Sequence, residues 1–332
     1  MRVLAALDKF KGTASSADLG AAVVRAARAS GLPASAVALS DGGDGLLAAF
    51  GGAERSTAVT GPLGTTVSAR WRLDGTVAVI ESATASGLVL AGGADGNDPM
   101  TATSRGTGQL IEAAVSTGAR DVIVGLGGSA CTDGGLAAVR ALSTATLRAI
   151  ASGEVVLVVC CDVVTRYVDA AVEFAPQKGA TAEQVVLLTR RLREARTVLR
   201  ERLGVDVDDL PGGGAAGGLG GGLAAIGGRL RPGFDVVAER TRLAASVAAA
   251  DLVVTGEGQL DRSSFAGKVV GGVAALADAA GTKVAAIVGS VAPGTPPPPF
   301  ATVSLVARFG TDAAFADPLG CVERATRSLL AP

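Results

Sequence analysis

A chain of 332 residues is long for one domain and comfortable for two, and its formal net charge of −1, with Lys and Arg dispersed, leaves no electrostatic footprint for nucleic acid or an anionic membrane. Hydrophobic residues make up 48% and mean hydropathy is +0.43, yet no run reaches the roughly 18 uninterrupted apolar residues that span a bilayer. The opening MRVLAALDKFKG lacks the apolar core and small-residue cleavage site of a signal peptide, so a cytoplasmic protein with a small-molecule partner is expected.

Histidine is absent, which removes His-based triads, His-ligated zinc and the commonest general base. Any proton-transfer group must therefore be Asp, Glu, Lys, Tyr or Cys. The four cysteines, Cys131, Cys160, Cys161 and Cys321, form no C-x-x-C pair and read as reduced core thiols. With 47 glycines and few aromatics, backbone amides rather than stacking side chains are expected to contact the ligand.

Along the chain, short apolar β-branched runs at 3–7, 36–39, 122–124, 155–159, 252–254, 284–288 and 303–307 end in small or acidic residues. Helical patterns at 16–29, 46–50, 106–116 and 267–279 follow several of them, the signature of parallel βαβ units. Residues 56–90 break this rhythm: TVSARWRL and TVAVIE alternate between Gly-Pro and Asp-Gly turn signals and read as a β-meander. A Rossmann-like parallel-sheet domain built from both chain ends (1–55 and 246–332) around an inserted mixed α/β domain (56–245) accounts for the change. Residues 181–204 carry the helical period of an exposed amphipathic helix. The glycine-rich stretch 211–222 is either a flexible linker or a functional turn leading into a helix.

Four runs end near carboxylates: Asp8, Asp41 with Asp44, Asp162, and Glu257 with Asp261. Ligands of parallel sheets bind outside the carboxyl ends of strands, so although single acids often cap helices, this set points to Mg²⁺ ligation and a carboxylate base. The cluster GLGGSACTDGG (125–135) lies between a strand and a helix, where its N–H groups can form a nest for phosphate. Its match to G-x-G-x-x-A lacks the ribose-binding acid of a dinucleotide site, which leaves an NAD-dependent oxidoreductase unsupported. Lys11, Lys178 and Lys268 each lie beside glycine and can neutralise phosphate oxygens. No G-x-x-x-x-G-K-[ST] is present, which excludes a P-loop kinase.

Taken in order, ALDKFKGT (6–13), SDGGDG (40–45), TGPLG (60–64), ESATASGL (81–88), GLGGSACTDGG, CDV (161–163), FAPQKGAT (174–181), GGGAAGGLGGGL and ADLVVTGEGQLD (250–261) resemble the bacterial type of glycerate kinase over most of the chain. The resemblance implies a Rossmann or flavodoxin-like domain with a second, restriction-enzyme-like α/β domain, an active site between them, ATP and Mg²⁺, and D-glycerate as acceptor, with 2-phosphoglycerate expected over 3-phosphoglycerate. On this reading Asp162 is the base or hydroxyl-orienting group, with Asp8 and Asp41 as competing candidates. Lys11 contacts the transferred phosphate, Asp41 and Asp44 bind Mg²⁺, and Glu257 with Asp261 orient metal or acceptor. Gly127, Gly128, Ser129, Asp133, Lys178, Gly217, Gly218 and Lys268 complete the nucleotide side. Two departures stand out: 141–153 is shorter than in typical members, and Val164 to Asp169 replace the usual Asn-Pro-Leu and Gly-Pro after CDV. They keep open a paralogous kinase for another small hydroxy acid, or an inactive ligand-binding homologue. A monomer or homodimer is expected.

Overall fold

The structure, a computed structural model, describes residues 1–265 and 267–331. Ala266, within FAGKVV, and Pro332, the last residue of the expected terminal segment, lie outside the described residues. In chain order the strands are β1 (Val3–Leu7), β2 (Ala34–Ala36), β3 (Arg55–Thr60), β4 (Thr66–Asp74), β5 (Val77–Glu81), β6 (Asp121–Gly125), β7 (Val156–Cys160), β8 (Arg229–Arg231), β9 (Leu252–Gly256), β10 (Gln259–Leu260), β11 (Lys283–Val288), β12 (Ser290–Val291) and β13 (Ala301–Ser304).

Two compact units result, one from residues 1–41, 48–51 and 234–332, the other from 42–47 and 52–233. The chain thus changes unit earlier than the positions near 55 and 245 expected from composition. The reason at the second boundary is packing: Phe234 is buried and its ring lies where a side chain on Gly272 would be, which ties the helix Gly233–Arg240 to the helix Val269–Ala280 of the terminal unit.

The terminal unit carries a five-stranded, wholly parallel sheet in the order β13-β11-β9-β1-β2. Counted by appearance within the unit this is 2-1-3-4-5, the doubly wound flavodoxin-like order. Every residue of β1 and β9 is buried, as expected where helices cover both faces of a parallel sheet. The helix Ser16–Ala29 starts at Ser15, whose hydroxyl accepts from the Asp18 N–H. Its buried Leu19, Ala22, Val23 and Ala26 recur at helical spacing, and Leu19, Ala22 and Val23 share a core with Cys321, Val322 and Ala325 of the helix Pro318–Leu330.

The other unit has a six-stranded mixed sheet in sequential order β3 to β8. β3, β4 and β5 form the expected meander, closed at Gly75–Thr76 by a two-residue hairpin in which Asp74 pairs with Val77. From β5 to β8 all pairings are parallel. The helix Ala182–Leu203 opens with a capping box, Thr181 with Gln184, ends at left-handed Gly204, and buries Leu188, Leu192, Ala195 and Leu199.

Two expected strands shift. The run at 36–39 pairs only over Ala34–Ala36. Residues 303–307 split between β13 and the helix Leu305–Phe309, because the Ser304 hydroxyl accepts from the Ala307 N–H and caps a new helix. The stretch 211–222 is not a linker: most of its glycines are buried, and the helix Leu219–Ala225 starts inside it.

Candidate active site

In a 2-1-3-4-5 sheet the topological switch point lies between the first and third strands, here β1 and β9, and ligands bind at their carboxyl ends. The register pairs Leu7 with Gly256, and the Asp8 N–H donates to the Gly256 carbonyl at 2.8 Å. Asp8 and Glu257, the next residue on each strand, therefore emerge side by side.

Both carboxyls are held out of water, and the cost falls on their ionised forms. Burial raises Asp8 to a pKa of about 6, against the pull of Lys9 and with a further push from Asp41. Burial likewise raises Glu257 to about 7, partly offset by the Ser264 hydroxyl and Lys268. The Glu257 Oε1 atom is buried without a hydrogen-bond partner, unusual for a carboxylate oxygen. Lys9 Nζ stands 3.8 Å from Asp8 and 3.9 Å from Asp41. Sequence reasoning passed over Lys9 for Lys11, although both lie in DKFK; adjacency to Asp8 was the available signal. Lys11 is exposed on the turn that follows.

Asp261 and Lys268 are engaged locally. Asp261 Oδ1 accepts from Ser263 N–H, Ser263 Oγ and Ser264 N–H at 2.7, 2.6 and 3.1 Å, which lowers its pKa and caps the turn Arg262–Phe265. Lys268 Nζ donates to Ser263 Oγ at 2.8 Å.

In the other unit, the glycine-rich loop after β6 is fixed from several sides. Ala130 N–H donates to Ser86, Leu88 N–H to Gly128, and Gly134 N–H to Gly217. A side chain on Gly127 would stand 2.7 Å from the Asp44 amide nitrogen, so glycine there lets the SDGGDG and GLGG backbones touch. Gly128 is left-handed, Ser129 is 6% exposed, and Thr132 Oγ1 is buried without a partner.

Asp133 accepts from Ser104 N–H, Ser104 Oγ and Gly135 N–H at 2.8, 2.9 and 3.1 Å. Lys178 is 3% exposed and donates from Nζ to the Cys131 carbonyl at 2.6 Å. Burial lowers its pKa, opposed by Cys131 and Asp133. These two residues brace the loop from within. Gly217 and Gly218, both left-handed, pack under it: a Cβ at Gly217 would collide with the Cys131 carbonyl, and one at Gly218 would stand 2.8 Å from Gly134 Cα. Tyr167, in the stretch that replaces the usual residues after CDV, is fully buried and donates from its hydroxyl to the Gly134 carbonyl at 2.7 Å. Asp162, after β7, is exposed.

Mg²⁺ can be tested against these residues. Among the described residues no group of three or more His, Cys, Asp or Glu side chains is placed to hold a metal ion. Mg²⁺ needs no such cage where substrate phosphates supply most of its ligands, and the orphaned Glu257 oxygen beside Asp8 is a site whose raised pKa values a cation would bring down. The residues fit the ion.

A parallel sheet with carboxylates at its switch point defines a doubly wound α/β small-molecule site. The model of the Glycerate kinase family matches residues 3–153 and 146–311; the two matches overlap at the helix Thr144–Ser152, within the segment read as shortened. The chain is 38% identical to a protein named Glycerate 2-kinase from Escherichia coli K12, over 95% of this chain and 90% of that protein, and 36% identical to a Glycerate kinase of Bacillus subtilis 168, over 88% and 85%. Among solved structures, a Salmonella typhimurium LT2 protein designated glycerate kinase 2 superposes with a TM-score of 0.84 at 33% identity, covering 99% of this chain and 97% of that one. The chain belongs to the glycerate kinase family.

Proposed function

We propose that the protein transfers the γ-phosphoryl group of ATP to a hydroxyl of D-glycerate, with 2-phosphoglycerate as product. The observation that carries the reading is the pair of strand-end carboxyls, buried Asp8 and half-buried Glu257, in a chain of the glycerate kinase family that has no histidine to serve as base. The substrate names of the relatives at 34–38% identity support the acceptor.

In this mechanism the acceptor hydroxyl oxygen bonds to the γ-phosphorus, the bond to the bridging β–γ oxygen breaks, ADP leaves, and the hydroxyl proton passes to a carboxylate. Asp8 takes that proton: a carboxyl with a pKa of about 6 is ionised at neutral pH yet basic enough to accept one late in the transfer. Lys9 holds Asp8 and Asp41 in place, and Lys11 and Lys268 spread phosphate charge. Asp41 and Glu257, both of the terminal unit, are the carboxylates that would hold Mg²⁺, which when bound neutralises β- and γ-phosphate oxygens. Asp261 orients this group through its turn, and Asp162 orients the acceptor hydroxyl. Gly127, Gly128 and Ser129 offer backbone N–H groups to phosphate, with Asp133, Lys178, Gly217 and Gly218 fixing their positions.

An ADP-release assay over D-glycerate, L-glycerate, glycolate and tartronate, with phosphorus NMR of the product, tests the reading. ADP release with D-glycerate and a phosphomonoester on C2 is expected. A C3 ester changes the regiochemistry alone, preference for another acid makes the chain a paralogous kinase, and no turnover with any acid makes it an inactive homologue.

A further inference from the structure

At the carboxyl rim of the same parallel sheet, on the β9–β11 side, the terminal unit holds a cavity of about 300 Å³ of whose lining only Lys11 has a role in the reaction above. It opens two residues beyond each key acid, since its lining includes Phe10 and Lys11 after Asp8, and Gly258 and Gln259 after Glu257. Part of the lining is apolar: Val306, buried Ala314, and Phe315, which is 63% exposed. Gln259 and Ser290, on the paired strands β10 and β12, line the cavity as well.

An aromatic face exposed at the lip of a cavity is a surface on which a flat apolar ring can stack. The volume is at the lower end of the range for small-molecule sites and generous for a three-carbon acid, which would gain nothing from apolar walls. A Gln amide carries both a donor and an acceptor, as does the amino-pyrimidine edge of adenine. Lys11, the single charged residue among the described lining residues, can meet the phosphates of such a ligand.

We propose that this cavity is the base subsite of an adenine nucleotide, with Phe315 as its stacking face and Gln259 as the reader of the base edge. The inference rests on the ATP reading above and assigns that nucleotide its place in this chain. Stacking on one aromatic face is worth enough that its removal weakens binding at least about fivefold.

Titration calorimetry of the full chain with ADP, and with inorganic tripolyphosphate as a probe lacking the base, tests it. Phe315→Ala, which removes an exposed ring, and Gln259→Ala, which removes an exposed amide, should each raise the Kd for ADP at least about fivefold and leave that for tripolyphosphate within about twofold. A wild-type chain that binds tripolyphosphate but gains nothing from the adenosine of ADP overturns the ATP reading, and the subsite with it. A wild-type chain that binds ADP tightly while both variants bind it equally well overturns the subsite alone. So does an unchanged ADP Kd accompanied by a raised KM for D-glycerate in the variants.

Discussion

The carboxyls at the switch point of the terminal unit and the polar residues around the glycine loop of the other unit look equivalent as sequence motifs, yet their surroundings differ in kind. Asp8 is buried and Glu257 half-buried, both with unmet demands: raised pKa values and, in Glu257, a buried oxygen without a partner. Asp133 and Lys178 are as secluded, but their hydrogen bonds are spent on Ser104, Gly135 and the Cys131 carbonyl. Native structures leave few buried polar atoms unpaired, so the unmet Glu257 oxygen marks a place for a ligand, as does Thr132 Oγ1 on the loop, whereas the satisfied Asp133 and Lys178 mark braces. The comparison assigns chemistry to the first pair and loop geometry to the second.

The largest effect should come from Asp8→Asn. Loss of a general base costs about 10²–10⁴ in kcat, and the isosteric amide should leave thermal unfolding within a few degrees. Steady-state ADP release with circular dichroism checks both, and a kcat within about threefold of wild type would move the base elsewhere.

Next is Gly217→Val, where the effect falls on stability: the left-handed backbone and the Cys131 carbonyl leave no room for a side chain, so a loss above about 3 kcal/mol is expected. Urea unfolding measures it. A stable variant with altered KM would return Gly217 to a purely ligand-facing role.

Lys178→Met should act more gently. It orphans the Cys131 carbonyl at about 1–3 kcal/mol and raises the KM for the phosphate donor more than it lowers kcat, because the loop shifts while the base stays. A kcat loss as deep as that of Asp8→Asn would make Lys178 a catalytic residue instead. The smallest effect expected is Asp162→Asn: an exposed, orienting carboxylate should be worth about tenfold or less in kcat.

Much of this was legible in the sequence. Strand-end acids after 3–7 and 252–254 pointed to Asp8 and Glu257, and the turn signals of 56–90 gave the meander. The order 2-1-3-4-5 was not, because which strands become neighbours depends on crossovers that periodicity does not encode. Nor was the division of labour among the acids: Asp133 is a brace because Ser104, twenty-nine residues away, donates to it, and Asp261 is a cap because its own next residues fold back. The two-residue strands β10 and β12 are too short to carry a pattern, and with them the cavity beside Gln259 went unread.

The folded state should respond to pH through the same two acids. Asp8 and Glu257 have folded pKa values above the unfolded ones, so the stability they favour is full below about pH 4 and lost as pH rises through about 6 and 7. Catalysis runs the other way, since the base works only when ionised. The most direct test of the account is therefore the pH dependence of kcat for D-glycerate phosphorylation in wild type and Asp8→Asn. The wild type should lose activity with an acidic limb near pH 6, and the variant should be slow throughout, with that limb gone. A variant that keeps the limb and near-normal kcat would contradict the assignment of the proton to Asp8.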